Sequence, residues 1–159
     1  MERDMVGYGA TPPCAHWPGD AAIAVQVVLN FEEGAERSPL YGDAEAESYL
    51  SEIIGAEAWQ GQRNPAMESL YEYGTRAGFW RLHRILGAAG VPVTAFAAAE
   101  ALRQSPDAVA AMQRSGWEIA SHGLRWIDYR HVPKDEERRH MREAIRLHAE
   151  LTGSRPRGW

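Results

Sequence analysis

The stretch IAVQVVLNFEEG, residues 23–34, decides the fold class and locates the predicted site. Apart from Gln26, its residues 23–29 are apolar, and such a run is typical of a strand that is covered on both faces of a parallel sheet. Two acids, Glu32 and Glu33, follow the run. In parallel α/β folds the loops after the carboxyl ends of strands carry the chemistry, so both acids are candidates for a functional site. The alternative is a solvated acidic turn after an ordinary strand.

Strand and helix patterns alternate along the rest of the chain. Two further runs have the composition of buried strands, and three segments have apolar residues at helical spacing. The strand runs are residues 91–98 and 117–121, and the helical segments are residues 75–89, 105–116 and 133–152. A short helix is also expected over residues 44–54, inside the long segment 35–67. This α/β alternation predicts right-handed crossovers and a parallel sheet or barrel.

The number of strands bears on the domain organisation. Three parallel strands cannot close a barrel, and they leave an open edge. We therefore expect residues 1–159 to be the N-terminal portion of a larger barrel domain. Residues 1–20, rich in Gly and Pro, are predicted to be a leader loop wrapped on the fold, and residues 21–159 to form three βα units. The open edge also predicts self-association or a homo-oligomer.

Composition argues against several classes of protein. The net charge of -5 and a pI of about 5.7 argue against a nucleic-acid surface, which needs clustered Lys and Arg. The amino terminus lacks the basic-then-apolar layout of a secretory signal, and no apolar run reaches the length of a membrane span, so we expect a cytoplasmic protein without a membrane partner. The single cysteine, Cys14, excludes an internal disulfide framework and a cysteine-based zinc cluster.

His122 follows the third predicted strand as the two acids follow the first. Because the carboxyl ends of parallel strands meet at one edge of the sheet, we expect His122 to lie near a carboxylate. Such a pair can bind a metal, deprotonate a water molecule, or do both in turn. The other histidines are expected to be structural, as most single histidines are. They are His16, His83, His131, His140 and His148.

Three blocks of sequence resemble motifs of the polysaccharide deacetylase family, also called the chitooligosaccharide deacetylase homology domain. The blocks are LNFEEGAE (29–36), SHGLRWIDY (121–129) and TGSRPRGW (152–159). Two more, YEYGTRAGFWRLHR (71–84) and VGYGATPP (6–13), look like the cytoplasmic allantoinase branch in particular. The family fold is a distorted TIM-like (β/α) barrel with seven or eight strands. The resemblance therefore implies that this chain is truncated after about three βα units of such a barrel.

The resemblance also implies which residues have a role at a metal site. The first family motif has two aspartates after a strand, a catalytic base and then a metal ligand, and Glu32 and Glu33 stand at these positions. The second motif has two histidines four residues apart. In this chain His122 stands at the first of these positions and Trp126 at the second. Indole has no lone pair to give, so Trp126 cannot be a ligand. We therefore expect no cofactor; the alternative is a single divalent metal such as zinc, held by Glu33 and His122.

The activity that the resemblance implies is hydrolysis of a carbon–nitrogen amide bond in a small cyclic ureide such as allantoin, a step of purine or ureide catabolism. Two alternatives stay open: a non-catalytic truncated fragment of such an enzyme, and a metal-dependent N-deacetylase of carbohydrate metabolism. For ureide hydrolysis, Glu32 is the expected base and His122 the proton shuttle. Arg155 of the third motif then orients the acid, or it is merely solvated. The predicted catalytic residues are Glu32, Glu33, His122 and Arg155, and the predicted substrate-binding residues are Asn30 and Trp126.

Overall fold

Three parallel strands form the sheet in the computed structural model, which describes residues 3–159. The strands are β1 (Val27–Phe31), β2 (Val93–Ala97) and β3 (Glu118–Ser121). They lie in the order β1-β2-β3, so β2 is paired on both sides. The register places Asn30, Phe96 and Ala120 in one row across the sheet. The predicted parallel α/β architecture is thus confirmed, while closure into a barrel stays a prediction.

Helices connect the strands and follow the last one. They are α1 (Pro65–Tyr73), a π-helical turn (Gly74–Gly78), α2 (Phe79–Ala89), α3 (Ala99–Gln104), α4 (Pro106–Arg114) and α5 (Lys134–Thr152), with short 3-10 turns at Pro18–Asp20, Pro39–Tyr41 and Tyr129–His131. Helix α2 ends where Gly90 adopts a φ of 65°, a left-handed conformation that costs glycine little. Every helix within residues 3–159 is too short or too polar to span a bilayer.

The core lies between one face of the sheet and the helices. Alternate residues of the strands face it, including Phe31, Val93 and Ala95, which are 4% exposed or less. Alanines at β2 and at α3 leave room for close packing of helix against sheet. A second cluster joins α3 to α5 through Ala99, Ala144 and other small or aliphatic side chains.

The opposite face of the sheet is open within the described residues. Val28 is 40% exposed, and Asn30 and Glu118 are exposed as well. The prediction of a first strand covered on both faces is therefore wrong for this chain. The strand also begins later than predicted, since Ile23 and Val25 are 72% and 78% exposed. Among residues 3–159, helices cover only one face of this sheet, so Val27 and Leu29 pack against the core while Ile23, Ala24, Val25 and Val28 are exposed.

The predicted helix over residues 44–54 is absent. Glu45 instead pairs with Gln60 in an isolated antiparallel bridge. The carboxylate of Glu47 accepts hydrogen bonds from the backbone N–H groups of Ser48 and Tyr49, at 2.9 and 3.0 Å. A side chain that binds its own backbone in this way competes with helix formation.

Two helices were not predicted from the sequence. Helix α1 begins at Pro65, and the side chain of Asn64 caps it by accepting from the N–H of Met67 at 3.3 Å. Helix α3 follows β2 after a single residue, Ala98, where an alanine-rich run suits either a strand or a helix.

Both ends of the described chain depart from regular structure. Residues 3–26 are exposed, and Tyr8 is 80% exposed, so the predicted wrapping of the leader on the fold is wrong. At the other end, the backbone N–H of Ser121 donates to the carbonyl of Gly158 at 2.9 Å. An ideal Cβ at Gly158 would lie 3.5 Å from that of Ala120. The last residues therefore lie beside the free edge of β3.

Candidate active site

Backbone pairing continues past the ends of the strands and brings their following residues into one row. The N–H of Ala98 donates to the carbonyl of Phe31 at 3.0 Å, and the N–H of His122 donates to the carbonyl of Ala97 at 2.9 Å. Glu32 follows Phe31, so Glu32 and His122 stand on either side of β2 at its carboxyl end. We call the row formed by Glu32, Ala98 and His122 the rim.

The side chains of Glu32 and His122 meet at the rim. Oε1 of Glu32 contacts Nδ1 of His122, and the two side chains are 18% and 40% exposed. This oxygen is shielded from solvent and accepts no aligned hydrogen bond among the described residues, so its contact with His122 is an electrostatic one. The imidazole also lies against Phe96, with ring centroids 6.1 Å apart. A carboxylate at Nδ1 keeps a hydrogen there and leaves Nε2 for proton transfer at a substrate.

Glu33 takes a different direction from its neighbour. Its carboxylate lies over Gly74, in the π-helical turn, where an ideal Cβ would come within 2.5 Å of Oε1 of Glu33. A side chain at this position would displace the Glu33 carboxylate from its place over the turn. Glu33 lines a polar cavity of about 200 Å³ together with Glu36, Arg63 and other residues. Among the described residues it makes no ion pair with His122.

The donor set of the described residues does not fit the zinc site of the resemblance. No group of three or more His, Cys, Asp or Glu converges within residues 3–159. Glu33 turns toward the polar cavity, and Trp126 stands in place of the second histidine. A zinc ion held by His122 and one carboxylate would have to fill the rest of its shell from outside these residues.

Trp126 forms an aromatic cluster with Tyr49 and Tyr71. Its ring makes edge contacts with both, at centroid distances of 5.3 and 6.0 Å, and its backbone N–H donates to the carbonyl of Ala35 at 3.0 Å. Burial raises the pKa of Tyr71, whose hydroxyl donates to the carbonyl of Tyr49 at 2.5 Å. The indole also lines a cleft of about 370 Å³ with Arg37 and Tyr49. Trp126 is thus packed against the loop after β1 and still borders open space.

A half-buried ion pair holds the loop after β1 against the loop after β3. Nη2 of Arg125 lies 2.6 Å from Oδ2 of Asp43, and the same nitrogen donates to the carbonyl of Glu36 at 2.9 Å. Burial alone would raise the pKa of Asp43, but hydrogen bonds from Arg125 and from the N–H of Ser38 hold it below its ordinary value. Sequence reasoning missed this pair, because 82 residues separate the partners.

Glu36 is a second group that sequence reasoning missed. Its carboxylate accepts a hydrogen bond from the N–H of Gly34 at 2.5 Å and is nearly removed from solvent, with 8% exposure of the residue. Burial raises the pKa of Glu36, and the negative charge of Glu33 adds to this effect. The only signal in the sequence is a third acid four residues after Glu32.

Two predicted site residues stay apart from the Glu32–His122 contact. Asn30 is exposed on the open face of the sheet, two residues before Glu32 and therefore on the same side of the strand. Arg155 is exposed and makes no ion pair with the acids of the rim among the described residues. Of the six predicted residues, the structure brings Glu32 and His122 into contact, while Glu33 lines the polar cavity and Trp126 lies in the aromatic cluster. The roles of all six predicted residues stay predictions.

Comparison with known proteins identifies the family. The family model for polysaccharide deacetylase matches residues 61–159. This chain belongs to the polysaccharide deacetylase family. A Schizosaccharomyces pombe protein named for the same family is 38% identical to this chain. The alignment is 162 residues long and covers 99% of this chain. The resemblance seen in the sequence blocks is therefore confirmed.

Solved structures of polysaccharide deacetylases and their relatives share the fold of this chain. PuuE allantoinase and a Pseudomonas aeruginosa PAO1 protein assigned to the polysaccharide deacetylases each match all of it, with a TM-score of 0.93 and 54% identity. A Mycobacterium smegmatis structure, 24% identical with a TM-score of 0.66, shares the fold. This chain spans about half the length of these relatives: 50% of the S. pombe protein and 53% of the first two solved chains.

Proposed function

We propose that the protein hydrolyses a carbon–nitrogen amide bond in a small cyclic ureide such as allantoin, and that it does so without a metal. The observation that carries the proposal is the contact between Glu32 and His122 at the rim, an acid–base pair on which no third metal-ligating side chain converges within residues 3–159. PuuE allantoinase, at 54% identity over the whole chain, supports the choice of a ureide.

The pair offers both proton transfers that amide hydrolysis needs. Water attacks the carbonyl carbon while Glu32 takes one of its protons, and the resulting C–O bond gives a tetrahedral oxyanion. The C–N bond then breaks, and His122, which enters the cycle as the imidazolium with a proton on each nitrogen, donates its Nε2 proton to the leaving nitrogen and becomes neutral. Exchange with solvent returns both groups to their starting protonation states. The amide is hydrolysed to a carboxylic acid and an amine, so atoms and charges balance.

Two further predicted site residues, Asn30 near the end of β1 and Trp126 in a cleft of its own, suit a small, flat, neutral substrate. Asn30 provides both a donor and an acceptor on the open face of the sheet, and Trp126 borders a cleft with an aromatic surface. A ureide ring presents amide donors and acceptors in one plane, which suits an amide side chain and an aromatic wall. We propose Asn30 and Trp126 as its binding residues.

A second candidate is a metal-dependent carbohydrate N-deacetylase, which the family name favours. The test compares the two substrate classes in the full-length protein, with allantoin and an N-acetylated chitooligosaccharide as the substrates and with a chelator present or absent. We expect allantoin hydrolysis that survives the chelator, in protein that contains well under one equivalent of zinc. Deacetylation that is lost in chelator, from protein with stoichiometric zinc, would replace the first proposal by the second.

A further inference from the structure

A histidine on α5 lies completely buried beneath the rim. His148 has 0% exposure, and its Nε2 lies 3.2 Å from the carbonyl oxygen of Ala97. A carbonyl oxygen only accepts, so Nε2 carries the hydrogen of this bond. Nδ1 is buried and has no hydrogen-bond partner among the described residues. A buried polar atom without a partner destabilises the fold, so an apolar residue would suit this position better unless the Nε2 bond has a use.

The carbonyl oxygen that accepts this bond also accepts a backbone hydrogen bond from the rim. The carbonyl of Ala97 receives the backbone N–H of His122 at 2.9 Å as well as the imidazole of His148. One oxygen at the carboxyl end of β2 therefore joins the residue that contacts Glu32 to helix α5. A carbonyl oxygen has two lone pairs, so both bonds can form together and each restricts the direction of the other.

We propose that His148 is a positioning residue for the Glu32–His122 pair. It holds the carbonyl of Ala97, that carbonyl holds the backbone of His122, and the backbone sets where the imidazole meets Glu32. The inference rests on the proposed function, because it assumes that this pair does the chemistry. Small displacements of a reacting group are costly: an error of about 1 Å reduces turnover by roughly a hundredfold.

The test removes the donor and then restores it. His148→Leu keeps an apolar side chain of similar bulk and loses the hydrogen bond, whereas His148→Gln places an amide N–H where Nε2 stood. In the full-length protein we expect kcat on allantoin to fall roughly tenfold to a hundredfold in His148→Leu, with KM nearly unchanged. His148→Gln should recover most of the lost turnover. The ¹⁵N chemical shift of Nδ1 of His122 should move in His148→Leu and return in His148→Gln.

Helix α5 supplies a matched control. His140 is also buried, at 9% exposure, but its Nδ1 lies 3.0 Å from the hydroxyl of Tyr129, away from Ala97. His140→Leu should lower the melting temperature and leave kcat and the His122 shift unchanged. If His148→Leu behaves like His140→Leu, His148 is only part of the packing and the proposal is overturned.

Two further results separate the possible failures. Should His148→Leu fail to fold, His148→Asn takes its place. Its side chain is polar but one methylene shorter than that of Gln, so its amide does not reach the carbonyl of Ala97. Equal turnover in the Asn and Gln variants would refute the proposal. Glu32→Gln and His122→Gln are measured beside them. If these two keep full activity, the proposed function itself is wrong. If they lose activity while His148→Leu keeps it, only the positioning role is wrong.

Discussion

Replacing Glu32 by Gln tests the chemistry at the rim most directly. The substitution keeps the shape of the side chain and its polarity and removes the negative charge that contacts Nδ1 of His122. Because Oε1 is shielded from solvent and has no other partner among the described residues, water cannot easily take over its role. The variant therefore loses the base and the negative charge at Nδ1, while its amide oxygen can still accept a hydrogen bond there.

The magnitude follows from these two losses. General base catalysis contributes roughly two to four decades in rate, equivalent to about 3 to 5 kcal/mol of the activation barrier. We expect kcat on allantoin to fall by that factor in the full-length protein, with KM little changed, since Glu32 acts in the transition state more than in binding. Steady-state kinetics measure both constants, and a melting curve shows whether the variant is folded.

Glu33→Gln is the control for the same chemical change one residue away. Glu33 lies over Gly74 and lines the polar cavity instead of the rim, so its loss of charge should cost much less turnover. The reasoning is refuted if Glu32→Gln retains near-normal turnover while Glu33→Gln abolishes it. That outcome would exchange the roles of the two acids.

Three further predictions concern packing, association and pH. Gly74→Ala brings a Cβ within 2.5 Å of the Glu33 carboxylate, so the flexible Glu33 side chain must move, while the helical backbone at this position favours alanine; in urea unfolding the substitution should be clearly more favourable in a Glu33→Ala background than in the wild type, and equal effects would contradict the close approach. The isolated 159-residue chain should self-associate, because its open face exposes Val28 and half-buried Phe96; a monodisperse monomer with a sharp melt in sedimentation and calorimetry would disprove this. Burial holds the pKa of His148 below its ordinary value, so near that pH the native state binds fewer protons than the unfolded chain. The free energy of unfolding should therefore be unaffected above pH about 6.5 and should fall as the pH drops from there toward the lower folded-state pKa. His148→Gln should make this pH dependence of stability weaker.

Sequence patterns predicted the elements that depend on local periodicity. The run before Glu32, the two later strand runs and the helix ending at Thr152 all correspond to observed elements. The prediction failed over residues 44–54, where the carboxylate of Glu47 accepts from the backbone of Ser48 and Tyr49 and so competes with helix formation. It also missed α3, because an alanine-rich run carries no periodicity that separates a strand from a helix.

The candidate site divides in the same way. The sequence by itself determined that Glu32 and His122 stand at the same edge of a parallel sheet, since that follows from the strand pattern and from the polarity of parallel strands. Only the tertiary structure decided that the carboxylate of Glu33 lies over Gly74. It also decided that the carbonyl oxygen of Ala97 accepts hydrogen bonds both from His122 at the rim and from His148 on α5. These contacts join residues far apart in the chain, and packing geometry sets them. Local sequence patterns carry no information about which distant groups share one carbonyl oxygen or meet at a glycine.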